Sequence, residues 1–149
     1  MGELRIVVIG GVAAGTSAAS QAKRRRPEAR VTLVERSEHV SYGACGIPYN
    51  LEDPSRSMDD LVVVSAQAFR SERGIDVRLR TEAVAIDTDA KTVRIRDLAT
   101  SQESELPYDK LVIATGAAPV KLPLPGMDLP GVHHLRDLAD GCALKDRLA

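Results

Sequence analysis

The sequence predicts an α/β fold, a parallel sheet joined to an antiparallel meander, and three observations predict it. An apolar run at Arg5–Ile9 falls straight into a glycine turn and an Ala-rich helix, and a second apolar run follows at Val31–Val34. Short alternating segments fill the middle of the chain, and a further apolar run returns at Leu111–Ala114. Continuous apolar runs separated by a helix read as strands covered on both faces, whereas alternation reads as a strand with one wet face.

Taken in order, Arg5–Ile9 is the first strand, Gly15–Arg26 a helix with small residues on one face, and Val31–Val34 the second buried strand. Ser37–Pro54 carries glycine, proline and serine around Cys45 and reads as loop with a short helix. Leu61–Val64 is an apolar run read as a strand, preceded by Asp59 and Asp60 as a turn-and-cap pair. Ser65 caps a helix that runs to Arg73 and stops at Gly74. The segments Asp76–Arg80, Ala83–Asp87, Thr92–Asp97 and Glu103–Leu106 alternate and resemble an antiparallel meander. Pro119–Gly131 has the proline and glycine content of a domain linker, and a final helix spans Asp137–Leu148.

With 149 residues, 44% of them hydrophobic, the chain has one domain's worth of sequence and enough apolar volume for a core. Twenty basic and 21 acidic residues leave a net charge of -1, and there is no Trp and only one Phe, so neither charge nor stacking suggests nucleic acid as a partner. The opening apolar run lacks a basic leader and is too short for a signal peptide or a membrane span, so a cytoplasmic protein with no membrane partner is expected. Cys45 and Cys142 stand almost a hundred residues apart and form neither a disulfide framework nor a metal-ligand pattern. His133 and His134 lack a ligand-spaced partner, and no metal is expected.

The glycine turn reads Gly10-Gly11-Val12-Ala13-Ala14-Gly15. Gly10 permits the tight exit from the strand, Gly15 lets the helix pack close to the sheet, and backbone N–H groups at the helix N-terminus then face a pyrophosphate. Glu35, 20 residues after Gly15, stands at the tip of the second strand, where a carboxylate can accept both ribose hydroxyls of an adenosine. Residues 5–35 therefore read as a Rossmann-like β-α-β unit for the ADP part of a dinucleotide. The middle position of G-x-G-x-x-G is Val12, which approaches a phosphate less closely than glycine does. Glu35 disfavours a 2′-phosphate, and Arg36 beside it tempers that. The alternative is a glycine turn in another parallel α/β protein with Glu35 as a solvated strand-end charge.

Cys45 lies in Ser41-Tyr42-Gly43-Ala44-Cys45-Gly46-Ile47-Pro48-Tyr49, at the start of a short helix whose first turn tolerates Pro48. A helix N-terminus favours thiolate, the form that attacks a disulfide or a peroxide. A free cysteine is also commonly a small buried apolar residue. The local residues leave both readings open.

The glycine turn, Glu35, Cys45 in its C-G-I-P-Y setting, and Ala114-Thr115-Gly116 with Pro119 together resemble the N-terminal part of the pyridine nucleotide-disulfide oxidoreductases. Within them the chain is most similar to the one-cysteine branch of coenzyme A-disulfide reductases, NADH oxidases and persulfide reductases. The resemblance implies a three-layer FAD/NAD(P)-binding fold and FAD as the bound dinucleotide. It implies Cys45 as the redox residue against the flavin, and NAD(P)H as the reductant in the longer protein. Dithiol members have a second cysteine five residues after the first, where this chain has Asn50. The oxidised partner of Cys45 is then external: a mixed disulfide, a persulfide or a sulfenic acid.

By the same resemblance, Gly10, Gly11, Val12, Ala13, Ala14, Gly15, Glu35 and Arg36 hold FAD on the ADP side. Ala83 holds adenine through backbone groups, and Ala44, Ala114, Thr115 and Gly116 lie on the flavin side. A small-molecule thiol or disulfide such as coenzyme A maps onto Ser17, Gln21, Arg24 and Ser41, of which the first three share one helix face. A solvated helix end is the alternative for the basic run Lys23–Arg26. Ala44 replaces the asparagine of many coenzyme A-disulfide reductases.

Family members are about three times as long and homodimeric, so residues 1–118 are expected to be the first segment of the FAD-binding domain. Residues 119–149 are then a linker and helix leading to a nicotinamide-binding domain beyond this chain. The same comparison gives the expectation that these residues are the N-terminal portion of a longer protein. The alternative function is a free-standing nucleotide-binding module with a regulatory thiol and no turnover. Cys142 is expected to be an ordinary helical thiol.

Overall fold

The computed structural model describes residues 2–148. The chain divides into two compact units, one comprising residues up to Tyr42 together with Val62–Thr115, the other Gly43–Leu61 together with the residues from Gly116 onward.

The first unit is built on a parallel sheet of four strands: β1 (Arg5–Ile9), β2 (Arg30–Val34), β3 (Ile75–Arg78) and β7 (Lys110–Ile113), in the order β3-β2-β1-β7. β1 pairs with β2 from Arg5↔Arg30 to Ile9↔Val34 and with β7 from Ile6↔Lys110 to Ile9↔Ile113. The helix α1 (Ala13–Arg25) links β1 to β2, and α3 (Ala66–Ser71) precedes β3. Alternation along β1 separates the two faces of the sheet. Ile6 and Val8 pack with Ala19, Phe69, Val31 and Leu33 beneath the helices. Val7 and Ile9 pack with Val34, Val93, Ile95 and Leu106 on the opposite face.

That opposite face is covered by the antiparallel meander β4 (Thr81–Asp87), β5 (Thr92–Asp97) and β6 (Glu103–Pro107), which connects β3 to β7. Helices, parallel sheet and meander form the three layers that the sequence leads one to expect. A register shift between Ala83 and Ala85 interrupts the β4–β5 ladder.

Two sequence expectations are corrected. The alternation of Asp76–Arg80 places it in the meander, but β3 pairs with β2 in parallel, from Val31↔Ile75 to Val34↔Arg78. As the edge strand it has one wet side, so Ile75 and Val77 are buried while Asp76 and Arg78 are half-buried, an alternation that mimics an antiparallel strand. Leu61–Val64 is not a strand: Leu61 closes a 3₁₀ turn from Met58, and only Val62 pairs, through a single bridge to Tyr42. The Ser65 cap is as expected, its hydroxyl accepting from the Ala68 N–H at 3.1 Å, although the helix ends at Ser71 rather than Arg73.

In the second unit, a 3₁₀ turn at Ala44–Gly46 runs into α2 (Ile47–Glu52), and α4 (Leu138–Leu148) packs on α2. Ile47, Met58 and Leu138 are buried there. A Cβ at Gly141 would lie 2.7 Å from Ile47 Cγ2, so only glycine lets α4 come this close.

Candidate functional site

All four parallel strands end at one edge of the sheet, and the segments leaving that edge carry most of the residues singled out in the sequence. β1 is the switch point: its neighbours β2 and β7 continue in opposite directions across the sheet, and ligands of open α/β sheets bind at such a crevice.

Gly10 has φ +104, a left-handed value that side chains resist, and its N–H extends the ladder to the Val34 carbonyl at 2.8 Å. A Cβ on it would overlap the Ala114 carbonyl group, whose carbon would be 2.7 Å away. A Cβ on Gly15 would run into the Gly10 carbonyl oxygen and meet Val8 Cγ1 at 3.3 Å, so the helix can sit this close to the sheet only with glycine at that position. Val12, the N-cap of α1, has an ordinary φ of -99, which is why valine is accommodated. No side chain caps this helix, no acidic residue lies in its first turn, and Ala13 and Ala14 are exposed, leaving an N-terminus with positive dipole character open to an anion.

Glu35 is buried, and both of its carboxylate oxygens accept backbone N–H groups: Oε2 from Gly11 at 2.6 Å and Oε1 from Ser37 at 2.8 Å. Its own backbone joins the sheet edge, its N–H donating to the Arg78 carbonyl and its carbonyl accepting from Thr81, the first residue of β4. Gly11 is also tied to Ser41, whose N–H donates to the Gly11 carbonyl at 2.8 Å. Ser41 adopts a left-handed φ of 54 and accepts from the Val63 N–H through its own carbonyl. The fold thus gathers Gly10, Gly11, Gly15, Glu35, Ser41 and Ala114 by direct contacts.

The remaining residues of this unit are more dispersed. Arg36 is exposed, and Ala83 pairs with Ile95 at the irregular part of β4. Ala114 extends the β1–β7 ladder through its N–H to the Ile9 carbonyl, and Thr115 follows it, exposed. Ser17, Gln21 and Arg24 are exposed on α1, and the Arg24 guanidinium donates to Gln21 Oε1 at 2.7 Å.

In the second unit, Cys45 sits exposed in the 3₁₀ turn directly before α2, with Ala44 half-buried beside it. The turn is held by Gly46 N–H to Gly43 O at 2.9 Å and by Gly43 N–H to Leu61 O at 2.9 Å. A Cβ on Gly46 would overlap the Leu61 side chain, which explains the glycine after the cysteine. Asn50 is buried and donates through Nδ2 to the Ser57 carbonyl at 2.6 Å. Gly116 has φ +72, and a Cβ on it would approach an Arg136 guanidinium nitrogen at 3.1 Å. Cys142 is half-buried, and its burial pushes the thiol above the ordinary range, with Asp59 and Asp146 adding to the effect.

Sequence reasoning missed Ser37, Arg136 and Lys145. Ser37, two residues after Glu35, supplies the second amide on it, a backbone contact that leaves no trace in side-chain identity. Arg136 Nε donates to the Ala117 carbonyl at 2.9 Å, and Lys145 binds carbonyls around α2; neither carries a sequence signal for those contacts.

The family model described as pyridine nucleotide-disulphide oxidoreductase matches residues 4–149. An NADH oxidase of Methanocaldococcus jannaschii is 34% identical over 142 residues, 95% of this chain and 31% of the relative. A CoA-dependent NAD(P)H sulfur oxidoreductase of Pyrococcus abyssi is 40% identical over 141 residues, 95% of this chain and 30% of the relative. Among solved structures, the reduced CoADR-RHD of Bacillus anthracis superposes with a TM-score of 0.93 at 30% identity, covering 99% of this chain and 27% of that one. The NAD-dependent persulfide reductase of A. fulgidus gives 0.90 at 38% identity, covering 97% and 27%. The chain spans about 30% of the length of these two curated relatives.

Proposed function

The chain belongs to the pyridine nucleotide-disulphide oxidoreductase family, and on that premise we propose that it is the FAD-binding N-terminal part of an NAD(P)H-dependent flavoprotein that works through a single redox-active cysteine, Cys45. The enzyme reduces a disulfide, persulfide, peroxide or oxygen, with coenzyme A disulfide as the favoured substrate. The observation that carries the reading is the joined turn and acid: Gly10 and Gly15 must be glycine, and the Gly11 N–H is fixed on the Glu35 carboxylate.

These residues fit the ADP half of FAD. The N–H groups of Val12 to Gly15 lie at a helix start that no side chain caps, suited to a pyrophosphate. Each carboxylate oxygen of Glu35 has two lone pairs and gives one to an amide, so each retains one for a ribose hydroxyl. Arg36 and Ala83 border the adenosine, and Ala44, Ala114, Thr115 and Gly116 the flavin, in this assignment. When bound, FAD supplies the two-electron link between nicotinamide and sulfur.

The Cys45 thiolate attacks one sulfur of the substrate disulfide, forms a mixed disulfide and expels the other half as a thiolate, which takes a proton from water. Two electrons and a proton derived from NAD(P)H then cleave the mixed disulfide, regenerating Cys45 and releasing the second thiol. The sum is one NAD(P)H and one proton per disulfide, giving two thiols. Ser17, Gln21, Arg24 and Ser41 hold the thiol substrate, with the Arg24 guanidinium suited to a phosphate. Residues 1–118 are the first segment of the FAD domain, 119–149 lead to the nicotinamide domain, and the full protein is a cytoplasmic homodimer.

The test is the intact mass of the protein before and after a reductant. A loss equal to coenzyme A, sulfur or oxygen, mapped to Cys45, supports the reading. A mass unchanged by reductant, with Cys45→Ser fully active, would sink it.

A further inference from the structure

α2 has only six residues, too few for a helix to hold itself together in water, so its order comes from its surroundings. Its last carbonyls have no partner within the helix. One of them, the Asn50 carbonyl, accepts from the ammonium of Lys145 on α4 at 2.9 Å, and the same ammonium donates to the carbonyls of Asp53, the residue capping α2, at 3.2 Å, and of Arg56 in the loop that follows. An ammonium has three donors, and these three bonds use all of them. A cation at the carbonyl end of a helix also opposes its dipole.

The contact is set by the packing around it. Gly141, one turn before Lys145 on α4, gives α4 its close approach to Ile47 and Met58. Asn50 secures the same loop from within through its bond to Ser57. A lysine in the last turn of a helix is ordinarily a solvated end charge, but Lys145 is half-buried and reaches across to a different helix.

We propose that Lys145 is the positioning residue of the Cys45 turn: by binding the Asn50 carbonyl in the last turn of α2 together with the Asp53 and Arg56 carbonyls just beyond it, it fixes the short helix on which that turn is mounted. The residue touches no reacting atom and acts through α2. The inference rests on the redox role assigned to Cys45 above, and its test is read partly by a measurement that needs no turnover.

Amide hydrogen exchange is compared for wild type, Lys145→Ala and Lys145→Arg. In Lys145→Ala, exchange at residues 47–53 should accelerate about ten-fold or more while the β1 amides keep their protection. Propylammonium, which replaces the deleted part of the side chain, should restore most of the lost protection, and Lys145→Arg should retain it to within about three-fold. In the full-length enzyme, Lys145→Ala should lower kcat for coenzyme A disulfide about five-fold or more, with KM for NAD(P)H within about two-fold of wild type. Unchanged exchange at 47–53, loss spread equally to β1, or failure of propylammonium to rescue overturns the proposal, as does an unchanged kcat. Full turnover by Cys45→Ser would instead reject the redox role of Cys45 and leave the exchange result to judge the clasp.

Discussion

The backbone N–H of Gly11 donates to Oε2 of Glu35 at 2.6 Å in a buried setting, so the turn after the first strand and the acid after the second form one device. Glu35→Ala would leave the Gly11 and Ser37 amides without their acceptor, at a cost of about 1–3 kcal/mol for a buried unsatisfied group. Urea unfolding should report that loss, and a FAD titration followed by flavin fluorescence should report binding weakened about ten-fold or more, equal to 1.4 kcal/mol. Glu35→Gln, which keeps one acceptor oxygen, should fall between the two.

Gly15→Ala drives a methyl group into the Gly10 carbonyl oxygen, and α1 has to move off the sheet to admit it. Overpacking of this kind costs about 1–3 kcal/mol. A lowered melting temperature together with loss of bound flavin is expected. Gly131→Ala, where nothing lies within 4 Å of the added Cβ but φ is +95, should show the backbone cost alone and keep the flavin.

These two sites were legible because they depend on local chain geometry and spacing. Arg5–Ile9 and Thr92–Asp97 likewise have the boundaries the apolar pattern assigns, since each pairs on both sides with full strands. β3 reads in sequence as a meander strand because, at the edge of the parallel sheet, it buries Ile75 and Val77 and wets Asp76 and Arg78, the same period as a meander strand. The run Leu61–Val64 has strand-forming residues, yet Val63 is 75% exposed and the segment has one bridge rather than a ladder. Val12 departs from the glycine pattern, and only its φ of -99 shows that the backbone there does not require glycine. Lys145 was invisible because its partners are backbone carbonyls almost a hundred residues away.

Asp109 receives both the guanidinium and the backbone N–H of Arg5, and the side-chain bond is the larger cause holding its carboxyl down at about 2. A carboxyl depressed in the folded state stabilises the protein above its ordinary value of 3.8, and this contribution disappears as pH falls toward 2. Urea midpoints measured through that window should fall more steeply for wild type than for Asp109→Asn, and the two should converge at its acid end.

The two thiols should separate by reactivity. Cys45 is exposed, whereas burial, with Asp59 and Asp146 nearby, pushes the Cys142 thiol up. Because the thiolate is the reacting form, iodoacetamide at neutral pH should label Cys45 first, with Cys142 slower by about ten-fold or more. Peptide mapping after timed quenching reads the order directly.

Adding FAD to the purified, flavin-free protein and recording the visible spectrum after desalting shows whether the glycine turn and Glu35 form a site for FAD. A yellow protein with flavin retained in proportion to chain is expected, with loss of that colour in both Glu35→Ala and Gly15→Ala. A wild-type protein that stays colourless after reconstitution would contradict the FAD site.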